Sequence, residues 1–388
     1  MEFNFINISS LIYIVISVLF ALYLFLTKKK SSKSNVLFAL LLIISAVDVA
    51  AFFNMTYLFP VSGTLGMLLS HFVFLEAPLL YLYFISVMYA DFKYKPSQLL
   101  HLLPYIGIIV LFYPQYYSLN TEEQVAFLTQ DNNMELPIIR ISYIALHIQA
   151  IVYFAVIFLK LRRYKMLMLE NYTDKYFYDL KWLMPLFYIK LSVFAVATFK
   201  NVFMFFLDES LYNILMIITM LFGLVGAVWI IFKALESPYI FSGISSDLEL
   251  SGSIANESEV TGKKGIIFTS KEEQIKINKL KAYIEENEPY LNSDLTIYDL
   301  AKELGMSSKE LSVLINQKLK KHFFDFINGY RIEKAKEILE DDDKKDFTIL
   351  EILYEVGFNS KSSFNTAFKK HTGLTPTEYR KTCSLQVA

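Results

Sequence analysis

The pattern of apolar positions changes character once along the chain. Up to about residue 235 apolar residues come in unbroken stretches, whereas beyond about 270 they recur every three or four positions among polar ones. An apolar stretch of about 20 residues crosses the ~30 Å hydrocarbon core as a helix, the form that bonds its own backbone groups where no water is present. Seven such stretches can be read, at 8–26, 35–59, 64–89, 99–114, 138–159, 182–207 and 211–232. The flank before the first carries Glu2 and neither Lys nor Arg, unlike a secretory leader. Basic residues fall on alternate connections. Lys28, Lys29, Lys30 and Lys33 follow the first stretch, Lys93 and Lys95 the third, Lys160, Arg162, Arg163, Lys165, Lys175 and Lys181 the fifth, and Lys233 the seventh. Segments 1–7, 60–63, 116–137 and 208–210 hold no Lys or Arg, with Arg140 the nearest basic residue on that side. This bias predicts an N-terminus outside and a C-terminus in the cytoplasm of a multi-pass membrane protein.

Composition sharpens the division. Residues 1–235 hold 29 charged side chains and residues 266–388 hold 39, a higher density in half the length. A single soluble globule does not divide this way, and a wholly disordered, collagen-like or disulfide-stapled chain is excluded. One cysteine, Cys383, cannot form an internal disulfide. A net charge of −1 provides no bulk attraction to nucleic acid, so any such affinity must come from local patterning. Between the halves, Ser237-Pro238, Ser242-Gly243, Ser245-Ser246 and Ser251-Gly252-Ser253 mark a polar stretch too poor in apolar surface to order itself. The expected organisation is a membrane domain over 1–235, a flexible cytoplasmic linker over 236–269 and a soluble domain over 270–388.

Ionisable residues inside spans are costly and face the bundle interior. Asp48, Glu76, His147 and Lys190 all count to near mid-depth. Two readings stand open: Lys190 pairs with Asp48 or Glu76 as interhelical glue, or the four form a polar ligand or proton site whose occupancy alters helix packing.

The soluble half is all helical by its signals. A Ser or Thr followed three residues later by an acid marks a capped helix start. The pattern occurs at Ser270/Glu273, Thr296/Asp299, Ser307/Glu310, Thr348/Glu351 and Thr375/Glu378. It predicts helices near 271–287, 297–304, 308–318, 323–340, 349–356, 361–371 and 376–381. Two stretches repeat each other: Thr296-x-x-Asp299, Leu300, Leu304 and Gly305 lie 52 residues before Thr348-x-x-Glu351, Ile352, Val356 and Gly357. Each glycine precedes a second helix with matched apolar positions, Leu311, Leu314 and Ile315, then Phe364, Ala367 and Phe368. A short helix, a glycine turn and a capped second helix make a helix-turn-helix, and two in register are far more specific than one. The helix between them, of about 27 Å, approaches the ~34 Å between successive major-groove faces of one side of a duplex. Acids gather at 285–288 and 340–343, away from the second helices. Candidate DNA-reading residues are Lys309, Ser312, Val313 and Asn316 in the first unit, and Lys361, Ser363, Asn365, Thr366 and Lys369 in the second. Asn suits adenine edges, Lys suits guanine, and the remaining lysines suit phosphates. The solvent-facing set is expected to include Ser312, Asn316, Ser363, Asn365 and Thr366.

These residues carry a resemblance. Tyr330-Arg331-Ile332-x-x-Ala335, Gly357-Phe358-x-x-x-Ser362-x-Phe364 and Gly373-Leu374-Thr375-Pro376-x-x-Tyr379-Arg380 make residues 270–381 similar to the AraC/XylS-type DNA-binding domain, a seven-helix module of two helix-turn-helix units. Leu353 stands where that family has a small residue, and Val313 where it often has a polar one, implying fewer bases read by the first unit. The resemblance implies a transcription regulator acting on double-stranded DNA. The whole is then expected to be all-α, a seven-span transmembrane bundle followed by a seven-helix double helix-turn-helix domain. Membrane lipid, a homodimer and an unidentified ligand or signal are the further partners. No cofactor, metal site or catalytic residue is expected, because no nucleophile–base pair, Cys/His cluster or phosphate-binding glycine loop is present. The alternative is a membrane receptor or transporter whose cytoplasmic helical tail binds a protein rather than DNA.

Overall fold

The computed structural model describes residues 5–26, 32–50, 58, 61–129, 136–173, 178–203, 209–236 and 269–386. Among them the secondary structure is helical, with no strand, and Tyr172 and Thr296 are joined by an isolated antiparallel bridge. The chain divides into two compact units, Met1–Leu161 with Asp179–Ser246, and Arg162–Tyr178 with Asp247–Ala388.

The first unit contains α1 (Phe5–Leu26), α2 (Ser32–Val49), α3 (Gly63–Ser70), α4 (Val73–Met88), α5 (Leu103–Phe112), α6 (Thr121–Thr129), most of α7 (Pro137–Asn171), α8 (Tyr178–Phe203) and α9 (Glu209–Glu236). Six stretches of the described residues are long and apolar enough to cross a membrane: Ile8–Leu26, Gly63–Met88, Pro96–Tyr117, Pro137–Asn171, Leu183–Val202 and Ser210–Trp229. The expected span at 35–59 coincides with α2 only as far as Val49, and its residues 51–57 lie outside the described residues, as does most of the expected linker, 237–268. The shortest expected span is composite. A 3-10 turn over Pro96–Leu102 feeds α5, which widens into a π-turn at Tyr113–Tyr117.

Packing in this unit is aromatic and aliphatic. Met67, Phe74, Ile108, Phe112, Tyr116 and Ile138 form one cluster, within which the buried Tyr116 hydroxyl donates to the Gly63 carbonyl at 2.9 Å. Apolar side chains on the outer face stay uncovered: Ile144, Ile148, Ile151 and Val152 of α7 are more than half exposed. A belt of this kind is unfavourable in water and compatible with insertion into lipid.

The second unit contains α10 (Ser270–Asn287), α11 (Ile297–Glu303), α12 (Ser308–Val313), α13 (Phe323–Glu340), α14 (Ile349–Glu355), α15 (Lys361–Thr372) and α16 (Pro376–Gln386), together with the end of α7. Reciprocal capping boxes start α11, α12 and α14 at the expected Thr296/Asp299, Ser307/Glu310 and Thr348/Glu351. Thr375 and Glu378 exchange the same bonds at the head of α16. The first start is corrected by one residue. Thr269, extended at φ −66° and ψ 151°, caps α10 with Glu272, and Ser270 is already inside the helix. A cap must have non-helical backbone, and Thr269 is the residue that has it.

Two cores result. Leu280, Ile284, Leu300, Leu304, Leu311, Leu314, Ile315, Phe323 and Ile327 belong to the first. Ile332, Ala335, Ile352, Leu353, Val356, Phe358, Phe364 and Phe368 belong to the second. Each fully buried large side chain contributes about 1.5–3 kcal/mol of transfer free energy. Helix α13 supplies both cores, so it is the beam on which the two helix-turn-helix units are mounted.

Candidate nucleic-acid interface

In both units the turn is made by a left-handed glycine, Gly305 at φ 64° and Gly357 at φ 87°. The second is also a close-approach point. A Cβ on Gly357 would lie 2.6 Å from the Tyr290 carbonyl oxygen and 2.7 Å from that of Leu291. The segment Pro289–Asn292 is gripped from the other side by Arg331 of α13, which is fully buried. Its Nε donates to the Tyr290 carbonyl at 2.7 Å, its Nη2 to the Asn292 carbonyl at 2.9 Å, and its Nη1 to Asn328 Oδ1 at 3.2 Å. The guanidinium also lies over the Phe358 ring, 5.4 Å from its centroid. One arginine thus ties a loop of the first unit to the turn of the second, and fixes one relative setting of the two. Its planar fork suits this better than an ammonium would.

Helix α15 presents the more polar exposed face. Ser360 caps it, accepting from the Ser363 amide at 3.2 Å. Phe364, Ala367 and Phe368 turn inward, leaving Lys361, Thr366 and Lys369 exposed and Ser363 and Asn365 half-buried. Asn365, Thr366, Lys369, Lys370 and Thr375 line one surface cleft between α15 and the head of α16. Lys370 is engaged there by Asp325 of α13 at 2.6 Å. The far side of α16 is pinned by Tyr379, whose ring packs on Phe368 and whose hydroxyl donates to Glu340. Burial and the neighbouring Glu340 carboxylate push the Tyr379 hydroxyl pKa up, so it stays a donor.

The first unit departs from expectation. Ser312 and Val313 are each 3% exposed, so the expected solvent-facing Ser312 is corrected to a buried one. The reason is a widening of the helix. After Val313 the backbone passes into a π-turn over Leu314–Lys318, and the polar side chains pair with each other, Asn316 Nδ2 donating to Ser312 Oγ at 3.0 Å. Lys318, still exposed, pairs with Glu273 of α10 at 2.7 Å. Glu310 is similarly engaged by Lys276 at 2.8 Å, and that hydrogen bond, followed by the Ser307 amide, holds its carboxyl down to about 2. Lys309, Lys320 and Lys321 remain exposed, with Lys320 in the left-handed region at φ 55°. The first unit therefore offers mainly charge at its two ends, and the second offers charge and hydrogen-bonding groups along one face. Sequence periodicity did not single out Arg331 as the tie between units; its burial depends on partners about 40 residues away.

Of the intramembrane candidates, the structure brings Glu76 and Lys190 together. Lys190 Nζ lies 2.7 Å from Glu76 Oε1, and Ser45 Oγ donates to the same oxygen at 2.8 Å. Asp48, three residues beyond Ser45 on α2, is not the hydrogen-bonded partner of Lys190 but lies close enough to interact electrostatically with both members of the pair. His147 is elsewhere, with Nδ1 3.1 Å from Thr198 Oγ1 and Nε2 3.4 Å from Asn201 Nδ2.

The match to a family model falls on the second unit. A helix-turn-helix domain family model matches residues 300–382. An uncharacterised HTH-type transcriptional regulator of Pseudoalteromonas carrageenovora is 39% identical over 120 residues, which are 30% of this chain and 68% of that one. The melibiose operon regulatory protein of Escherichia coli strain K12 is 27% identical over 128 residues, 33% of this chain and 39% of its own length. Among solved structures, the C-terminal domain of AraT, a response regulator from Geobacillus stearothermophilus, is 34% identical, covering 28% of this chain and 84% of that one with a TM-score of 0.25. By the helix-turn-helix family match and by the Pseudoalteromonas relative, the chain belongs to the HTH-type transcriptional regulators and carries an AraC-type helix-turn-helix domain at its C-terminal end.

Proposed function

We propose that this chain is a membrane-tethered, sequence-specific DNA-binding transcription regulator, whose helical N-terminal unit anchors the domain at the cytoplasmic face of a bacterial inner membrane and serves as sensor or dimerisation element. The observation that carries the DNA part is the face of α15, where Lys361, Thr366 and Lys369 are exposed and Asn365 half-buried beside them, over a buried Phe364 and Phe368. Asn365 and Thr366 read base edges, and Lys361 and Lys369 neutralise flanking phosphates. The membrane part rests on six apolar helices and on the positive-inside pattern of the sequence. A seventh span, with α2 at its start, completes the N-out, C-in topology. The Glu76–Lys190 pair is either the glue of this bundle or the polar centre of its signal site, with Asp48 and His147 as further candidates.

The test is selection of bound duplexes from a random pool by the full chain. Asn365→Ala is expected to cost about 1–3 kcal/mol and to relax one position of the selected site, whereas Lys369→Ala weakens all sequences alike and lowers the salt slope by about 1. A pool that enriches no sequence would sink the reading. In that case the tail is a protein-binding one, a reading favoured by the burial of Ser312 and Val313 where a base reader would be open.

A further inference from the structure

The end of α7 makes a contact that neither a membrane span nor a DNA reader requires. Helix α7 has 35 residues, about 52 Å at 1.5 Å each, well beyond the ~30 Å a span needs. Its last turns and the residues after it group with the C-terminal unit. Within that unit, Tyr172 forms an antiparallel bridge with Thr296, and Thr173 Oγ1 lies 3.0 Å from the Ser293 carbonyl oxygen and 2.9 Å from that of Leu295. Thr173 is fully buried, and Asn171 and Tyr172 are buried beside it.

The loop it holds is a sensitive one. Thr296 is the cap of α11, the first helix of the first helix-turn-helix unit. The preceding Asn292 carbonyl is the acceptor for Arg331, the residue that sets the two units against each other. The same short loop is thus held by Arg331 on one side and by Thr173 on the other. Neither core of the domain uses a residue of 162–173. The contact therefore lies outside both apolar cores of the domain.

We propose that Tyr172 and Thr173 form a releasable clasp on the 293–296 loop that restrains the domain from DNA, and that release of this clasp is how the N-terminal unit controls DNA binding. With the clasp closed, the domain is held two residues beyond the end of α7. With it open, the covalent connection is the path from Glu236 to Thr269, about 30 residues and at most about 110 Å of extended chain. A clasp of a few backbone-directed bonds has the right strength for a switch, since each is worth about a fivefold change in an equilibrium. The inference rests on the DNA-binding reading above.

The test uses the full chain in membrane vesicles with Cys383→Ser, so that no native thiol interferes. Residues opposed in an antiparallel bridge have Cα atoms ~4.5–5.5 Å apart, within disulfide range. Tyr172→Cys with Thr296→Cys is therefore expected to cross-link internally on mild oxidation, and the oxidised protein to hold a duplex selected from a random pool at least tenfold more weakly than the same protein reduced. Comparing two redox states of one variant cancels any loss from the altered cap. Independently, Thr173→Val is expected to raise affinity about fivefold, because it keeps the side chain's shape and removes the hydroxyl. Absence of the cross-link overturns the clasp, and so does equal binding by oxidised, reduced and Thr173→Val proteins. If none of these proteins retains any duplex, the DNA-binding reading itself fails, a result distinct from either of the others.

Discussion

Glycine at the two turns meets different demands. Gly305 and Gly357 both sit at positive φ, but only Gly357 has carbonyl oxygens within 3 Å of where a Cβ would be, while nothing lies within 4 Å at Gly305. Left-handed backbone alone costs a non-glycine residue about 1–2 kcal/mol. Gly305→Ala should therefore destabilise the domain by about that amount. Gly357→Ala adds a backbone clash against Tyr290 and Leu291, and should cost about 3 kcal/mol or more. Chemical denaturation of the two variants checks this; equal losses would mean that the contact with the 290–291 carbonyls relaxes freely. The glycines themselves were evident from the 52-residue repeat, because a turn of fixed length demands φ > 0 locally. Their unequal burden was not, since it is set by Tyr290 and Arg331, which approach from other parts of the chain.

Among elements, the helix starts carry a common electrostatic load. Glu272, Glu310, Glu351 and Glu378 each accept a bond from the backbone of their cap, and each carboxyl is held below the usual glutamate range. Glu310 goes furthest, to about 2, because Lys276 adds a hydrogen-bonded charge. A depressed folded-state value means the stabilisation is complete above the unfolded value of about 4.3 and is lost as pH falls toward 2. Partial exposure of both partners limits the Glu310 share to about 1 kcal/mol. The melting temperature of residues 266–388 should thus fall between pH 5 and pH 2.5, and Glu310→Gln should lower it at pH 5 while flattening the profile. A variant profile parallel to the wild type would remove Glu310 from this role. These caps were legible three residues at a time, and four of five stood where the Ser/Thr-x-x-acid pattern put them. The fifth moved from Ser270 to Thr269 because both residues can cap and both Glu272 and Glu273 can answer; backbone geometry chose between them.

For the whole molecule, the Glu76–Lys190 pair joins helices α4 and α8 across 114 positions of sequence. Removing one member leaves a charge in a poorly hydrated interior, which costs about 3–5 kcal/mol, whereas removing both by isosteres is close to neutral. Lys190→Met and Glu76→Gln should each lower the amount of folded protein in membranes, and the double variant should recover most of it. If the double variant is well folded and reporter output from a selected operator still responds to growth conditions as before, the pair is glue. If folding is intact and the response is lost, the pair belongs to the signal site.

What the order of residues determined by itself was everything governed by near neighbours and by solvent. Long apolar helices follow from unbroken apolar runs, helix starts from spacing and caps, and the duplicated unit from a repeat that any translation along the chain reveals. α13 accordingly falls at 323–340 to the residue. Tertiary structure alone decided which polar groups face out. Ser312 has the same local credentials as Thr366, yet a π-turn and Asn316 bury it, while Thr366 stays open. It likewise chose Glu76 over Asp48 for Lys190, gave Arg331 its place between the two units, and set Thr173 against Ser293 and Leu295. Apart from the Ser312–Asn316 pair, four positions apart, each of these depends on groups tens to more than a hundred positions apart meeting within about 3 Å, and the energy of such a meeting is absent from any local pattern until the fold has brought them together.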